Sequence, residues 1–295
     1  MTSNYAVQVN EFSEVKNSIY GKHVRTSDII LKGLIYLCAG FSIALLIGIM
    51  GYVFVRGIHN VTWQFLTTVT STTAKTYGIL GNIVNTLYII VITLLIATPL
   101  GVGAAIYLNE YAKPGRIVRA IEFTTETLSG IPSIIFGLFG MVFFGTTLGF
   151  DYSILTGAFT LTLMILPLIT RTTQEALKTV PDSYRSGALG IGATKWYMIR
   201  TILLQSAMPG ILTGIILAIG RIVGETAALM YTAGTVAEMP KSVMSSTRTL
   251  SVHMYTLASE GLHIDAAYAT AVVLLVVVLF INWVSGRVAK MIKKG

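Results

Sequence analysis

The 295-residue chain has one cysteine, Cys38, and few charges: Lys, Arg, Asp and Glu make up only 12% of it. A single thiol excludes a disulfide framework and a cysteine metal cluster. Charge at about half the ~25% of an ordinary soluble domain excludes a surface that faces water throughout. No G-x-x-x-x-G-K-[ST] occurs, so the chain has no P-loop with which to cradle ATP. No H-E-x-x-H occurs, which removes the common zinc-protease reading. Gly101-Val-Gly103 and Gly190-Ile-Gly192 lack the third glycine of a dinucleotide fingerprint and read as helix-packing and helix-ending glycines. No repeat of solenoid period is visible.

What the chain does have is apolar length. Hydrophobic residues make up 54% of it, and its mean hydropathy is +0.73. A helix needs about 20 apolar residues to cross ~30 Å of hydrocarbon. Without water to satisfy the backbone, such runs must be helical. The expected fold is therefore an all-α polytopic membrane protein with six spans, at about 29–55, 79–107, 122–144, 153–170, 202–231 and 266–284. Residues 1–28 read as a polar tail rather than a cleavable signal. Residues 29–78 hold the first span and an outer loop, residues 79–286 the main transmembrane domain, and residues 287–295 a basic tail.

Six spans put both termini on one side, and the basic residues choose it. Sixteen of the 21 Lys and Arg fall in the tails, the 108–120 turn and the 171–200 loop; four fall in the opposite loops. The termini and the long polar loop are thus expected in the cytosol. The net charge of +8 follows from this topology. It points to membrane lipid as the environment, not to nucleic acid.

The stretch 171–210, RTTQEALKTVPDSYRSGALGIGATKWYMIRTILLQSAMPG, is the one long polar segment with a span on each side. Thr172 or Thr173 is expected to cap a short helix through Glu175–Thr179, which Pro181 stops. Asp182 is expected to cap a second, Ser183–Leu189, ended by Gly190 and Gly192. Tyr184, Ala188 and Ile191 make one small apolar face on it. Either this loop packs on its own bundle, or it presents a short helix to a groove on a cytosolic partner.

Within this loop, Arg185–Gln205 resembles the cytosolic motif of ABC importer permeases: Glu-Ala-Ala, three residues, Gly, nine residues, Ile-x-Leu-Pro. Here it reads Ser186-Gly187-Ala188, then Gly192, then Ile202-Leu203-Leu204-Gln205. Ala188, Gly192, Ile202 and Leu204 match; Ser186, Gly187 and Gln205 depart from the pattern. Three further blocks, Glu126–Gly140, Val223–Gly234 and Met239–Gly261, resemble the PstA-type permease of phosphate ABC importers.

The resemblance implies a type I importer permease fold of MetI-like kind in a bacterial or archaeal cytoplasmic membrane. It implies a PstC-type permease as partner, two PstB-type ATPases that bind ATP and Mg in this chain's stead, and a PstS-type phosphate-binding protein outside. It also implies that Tyr184, Arg185, Ser186, Gly187, Ala188, Leu189, Gly190 and Gly192 form the segment that an ATPase grips.

Charges inside spans mark the candidate pathway. Gly210 as the membrane entry places Arg221 about 16 Å deep, where an Arg costs at least ~2.5 kcal/mol. Glu225 lies at i+4, in pairing range. Either the two form a structural ion pair, or Arg221 attracts an anion that Glu225 tempers. A guanidinium fork suits phosphate oxygens. A carboxylate can accept the O–H that phosphate carries and sulfate lacks. Arg171, at the end of the fourth span, reads either as a topological anchor or as a basic exit. Glu126 reads as a buried hydrogen-bond partner, and Ser129 and Ser133 as pathway hydroxyls. His253 and His263 read as structural. Beside phosphate import stand two alternatives: an ABC permease for another solute, and an intramembrane enzyme using Glu126, Glu225 or His253.

Overall fold

The computed structural model describes residues 26–71, 76–261 and 263–292. The N-terminal tail up to residue 25, Lys75 and residues 293–295 of the basic tail lie outside it. Contacts divide the chain into two units, residues 1–52 and 53–295. Helix α1 (Thr26–Gly57) has 32 residues and is apolar on all sides, as a lipid-bathed helix must be.

After α1 comes a short helix, α2 (Trp63–Thr67), which Thr62 caps by accepting from the Phe65 amide at 3.1 Å. A hairpin follows, β1 (Val69–Ser71) pairing antiparallel with β2 (Thr76–Ile79). The sequence suggested only a loop here. Val69 and Thr70 of β1 are β-branched, which favours this extended pairing.

Helix α3 (Leu80–Ile106) continues as one π-helical turn, Tyr107–Tyr111. Next come α4 (Arg116–Ser129) and α5 (Ser133–Gly140), the latter extended by a π-helical stretch, Met141–Thr147. Helix α6 runs Ile154–Lys178. The polar loop forms α7 (Asp182–Gly190) and α8 (Lys195–Met198). A π turn, Ile199–Leu203, joins α8 to α9 (Leu204–Gly224). The chain ends with α10 (Ala227–Thr232), α11 (Leu250–Glu260) and α12 (Ile264–Ile292).

Five helices are long and apolar enough to cross a membrane, and a sixth span is available if α4 and α5 count as one. That pair is bent by 103°, not straight as the apolar run suggested. Pro132 sits at the break; it has no N–H to donate and pushes Ile131 out of the helical region. The fifth span is also broken, because Glu225 adopts an extended backbone (φ −73°, ψ 126°). The outer stretch 232–265 is not all loop, since it contains α11.

Helix α6 is the axis of the second unit, packed chiefly on α3 and α9. Its Leu161, Met164, Ile165 and Ile169 are buried with Ile89, Ala97, Ala218 and Ile222 from those neighbours. The seam between α5 and α10 closes at Gly137: a Cβ there would lie 2.8 Å from the Ala228 Cα. Other large apolar side chains, among them Leu87, Val91 and Leu95 on α3 and Ile134, Ile135 and Phe139 on α5, are exposed, as expected of surfaces that meet lipid or another subunit.

Candidate functional site

Two structures answer to the residues singled out by sequence: a charged cavity beside α6, and the folded polar loop beneath it.

The cavity holds about 610 Å³ between α4, α6 and the end of α9. Arg171, Lys178 and Arg221 supply three cations to its wall, and Glu122, Glu126 and Glu175 three carboxylates. Ser129, Thr125 and Thr172 add hydroxyl-bearing side chains. Arg171 contacts Glu126 at 3.6 Å and, one turn along its own helix, Glu175 at 3.3 Å. All three side chains are well exposed to the cavity, so these pairs are weak. Arg221 is exposed in the last turn of α9, where the negative end of the helix dipole favours a cation. Among the described residues it has no ion pair at all.

These placements change three expectations. Arg221 is near the end of a helix, not halfway along an unbroken one, because α9 stops at Gly224. Glu225 does not pair with it. Its side chain is turned into the protein, 9% exposed as a residue, and Oε1 accepts from the Ala228 amide at 3.1 Å. Its backbone carbonyl accepts from Ser251 Oγ at 2.6 Å. Glu225 is therefore a helix cap for α10, since a free amide in a first turn needs an acceptor. Glu126 is not buried; its side chain is 72% exposed and faces Arg171. Ser129 lines the cavity, and its hydroxyl donates to the Glu126 carbonyl at 2.7 Å. Ser133, the first residue of α5, lies outside the lining. Glu122, Glu175 and Lys178 were not singled out. Their signal was available, since Glu122 precedes Glu126, and Glu175 follows Arg171, by one helical turn.

The polar loop is folded against the bundle on one face and open on the other. Ala188 of α7 is buried among Leu177, Val180, Met198, Ile199 and Leu203. Tyr184, Leu189 and Ile191 are exposed, Ile191 at 87%. Tyr184, Ala188 and Ile191 thus do not share one buried face. Gly192 has a left-handed backbone, φ +85°, and turns the chain from α7 into α8. Neither expected cap operates: α6 runs unbroken to Lys178, and Thr172 donates back to the Leu168 carbonyl at 2.8 Å. Asp182 instead lies within the first turn of α7 and accepts from Arg185 at 2.9 Å.

Arg185 points inward. Nε and Nη2 reach Glu110 Oε1 at 3.3 and 3.0 Å, and hydrogen bonding to Glu110 raises the Arg185 pKa above its ordinary value. Sequence reasoning passed over Glu110, because its partner is far along the chain. Outside the spans, His253 on α11 is fully buried, and burial pushes its pKa down to about 4. Arg248 lies 3.4 Å from its Nδ1 and adds to that shift. Among the described residues no three His, Cys, Asp or Glu side chains gather as a metal site would require.

Residues 97–294 match the model for the inner membrane component of binding-protein-dependent transport systems. The chain is 35% identical over 286 residues to the probable ABC transporter permease protein YqgI of Bacillus subtilis, covering 92% of this chain and 97% of that protein. It is 34% identical over 209 residues to the phosphate transport system permease protein PstA of Haemophilus influenzae, covering 71% and 74%. A PstA homolog of Mycoplasma pneumoniae is 32% identical over 291 residues, 96% of this chain but 44% of that longer protein. In fold, the chain resembles a bacterial alginate ABC transporter (TM-score 0.65, 19% identity, 90% of this chain and 96% of that one). It also resembles the inward-facing MetNI methionine ABC transporter (TM-score 0.58, 19% identity, 76% and 99%). The chain is a multi-pass membrane protein and belongs to the family of binding-protein-dependent transport system inner membrane components.

Proposed function

We propose that the chain is the permease subunit of an ATP-driven phosphate importer and forms half of its translocation path. The observation that carries this reading is Arg221, a cation without an ion pair among the described residues, facing the same cavity as Arg171. A guanidinium stays charged at every relevant pH and offers donors in a plane that suits phosphate oxygens. Arg171 already has two carboxylates beside it, Glu126 and Glu175. An anion can be attracted at Arg221 and released past Arg171 without being held. The phosphate permeases among the relatives favour phosphate over other anions.

Family members are transport components, and this chain contributes no ATP site of its own. The exposed side chains of α7, Tyr184 and Leu189, with Ile191 just beyond it, are the surface for a cytosolic ATPase that binds ATP and Mg. A PstC-type permease completes the cavity on its open side, two PstB-type ATPases dock at the basic end, and a PstS-type binding protein delivers phosphate from outside a bacterial or archaeal cytoplasmic membrane.

The test is uptake of labelled phosphate into ATP-loaded vesicles containing this chain with its candidate partners. Uptake that needs ATP and is not reduced by excess sulfate supports the reading. Uptake of a different solute, with none of phosphate, overturns it.

A further inference from the structure

Glu110 lies at the end of α3, in the π turn Tyr107–Tyr111. Its side chain is 5% exposed, a setting in which a carboxylate is costly unless fully partnered. The partners are present. Oε1 accepts from Arg185 Nη2 at 3.0 Å, from Arg185 Nε at 3.3 Å and from Asn109 Nδ2 at 2.7 Å. The Glu110 carbonyl accepts from Lys195 Nζ, which also lies 4.8 Å from the centre of the Tyr111 ring.

The Arg185 guanidinium is saturated in turn. Besides Glu110 it donates to the carbonyls of Leu177 and Val180, both at 3.0 Å, and to Asp182 Oδ1 at 2.9 Å. Leu177 is in the last turn of α6 and Val180 just beyond it, where helix carbonyls have no partner within the helix. One side chain on α7 therefore caps α6 and grips the end of α3. Lys195 adds α8 to the same point. Simple loop packing needs only the apolar contacts around Ala188. It does not need a largely buried ion pair, which a hydrophobic pair often replaces at no loss of stability.

We propose that Glu110 and Arg185 form a clamp that makes α7 and the basic ends of α3 and α6 one rigid lever, so that a push on α7 displaces α3 and α6 without being absorbed at Pro181 or Gly192. Leu177 is six residues, about 9 Å, along α6 from Arg171. The lever thus reaches the wall of the cavity. Glu110 and Arg185 are positioning residues: neither faces the cavity, and both act through α3 and α6. This rests on the reading that α7 is the ATPase's contact.

The test uses the complete transporter. Spin labels at Ser183 on α7 and Tyr107 at the end of α3, both exposed, report the distance across the clamp and need no transported solute. One narrow distance, the same without nucleotide and with ATP, is expected in the wild type and broadens in Glu110→Gln. A wild-type distance that changes on ATP binding overturns the lever, whether or not the variant folds. In vesicles, Glu110→Gln is expected to keep ATP hydrolysis within about twofold while phosphate uptake per ATP falls about tenfold or more. In a Cys38→Ala background, Glu110→Cys with Arg185→Cys is expected to recover that ratio when a short bis-maleimide joins the thiols. Unchanged uptake per ATP in Glu110→Gln, or no recovery on joining, overturns the proposal. Wild-type vesicles that take up no phosphate contradict the substrate reading alone, because the label distances still decide the clamp.

Discussion

Arg221 and Glu225 are four residues apart and do not pair. Helix α9 ends between them at Gly224, and Glu225 turns inward to accept the Ala228 amide at 3.1 Å. The cation stays with the cavity; the carboxylate joins the scaffold. Their roles should therefore separate under mutation.

Glu225→Gln keeps an oxygen for the Ala228 amide and should leave transport close to wild type. Glu225→Ala removes the cap and should cost about 1 kcal/mol. Thermal unfolding of the purified chain in detergent, with the two variants side by side, checks this. A transport defect in Glu225→Gln, with unfolding unchanged, would return Glu225 to the pathway.

Gly137 allows α5 to lie against α10. A Cβ at Gly137 would sit 2.8 Å from the Ala228 Cα and 3.1 Å from the Ala228 carbonyl oxygen, both backbone atoms that cannot swing aside. Gly137→Ala should destabilise by about 1–3 kcal/mol, the usual range for overpacking. Gly103, where a Cβ would meet nothing within 4 Å, is the control. Gly103→Ala should be neutral or slightly stabilising in its helix. The melting temperatures of the two variants decide.

His253 gives the outer region a pH dependence. Its folded pKa, about 4, lies below the ordinary 6.5, so the unfolded chain binds the proton first. Stability from this residue is fully present above about pH 6.5 and is lost as pH falls toward 4. Among the described residues its buried Nε2 has no hydrogen-bond partner, and burial is the main cause of the shift. Hydrogen exchange of α11 should accelerate between pH 6.5 and 4 beyond the intrinsic rate, and His253→Gln should abolish that excess. An excess that survives in His253→Gln would assign it to another group.

Much of this architecture was legible in the chain, for identifiable reasons. Apolar runs and the bias of Lys and Arg are local and additive, so the spans and the long basic-end loop could be read directly. Asp182 to Gly190 is bounded by Pro181 and by Gly192, which bracket α7 in any context. The bend after Ser129 was marked by Pro132 but lay inside an apolar run that looked continuous. The break at Glu225 carries no proline; it goes with a local cap on the Ala228 amide and a tertiary hydrogen bond from Ser251. Glu110 looked like one charge in a short turn. Its importance comes from Arg185, 75 positions away, and no local pattern encodes that meeting. In the cavity, Arg221 was found because an Arg within a span is costly, and Arg171 because it closes the fourth span. Glu175 and Lys178 sit in the last turn of α6, where charge is ordinary, and Glu122 is midway along the polar helix α4; only the fold brings them to one wall.

The central claim is that Arg221 draws phosphate into the path. Phosphate uptake into ATP-loaded vesicles by Arg221→Gln, set beside wild type at equal amounts of assembled transporter, tests it most directly. The account predicts a loss of about tenfold or more, partly restored in Arg221→Lys, which keeps the charge without the planar fork. Wild-type uptake by Arg221→Gln would contradict it.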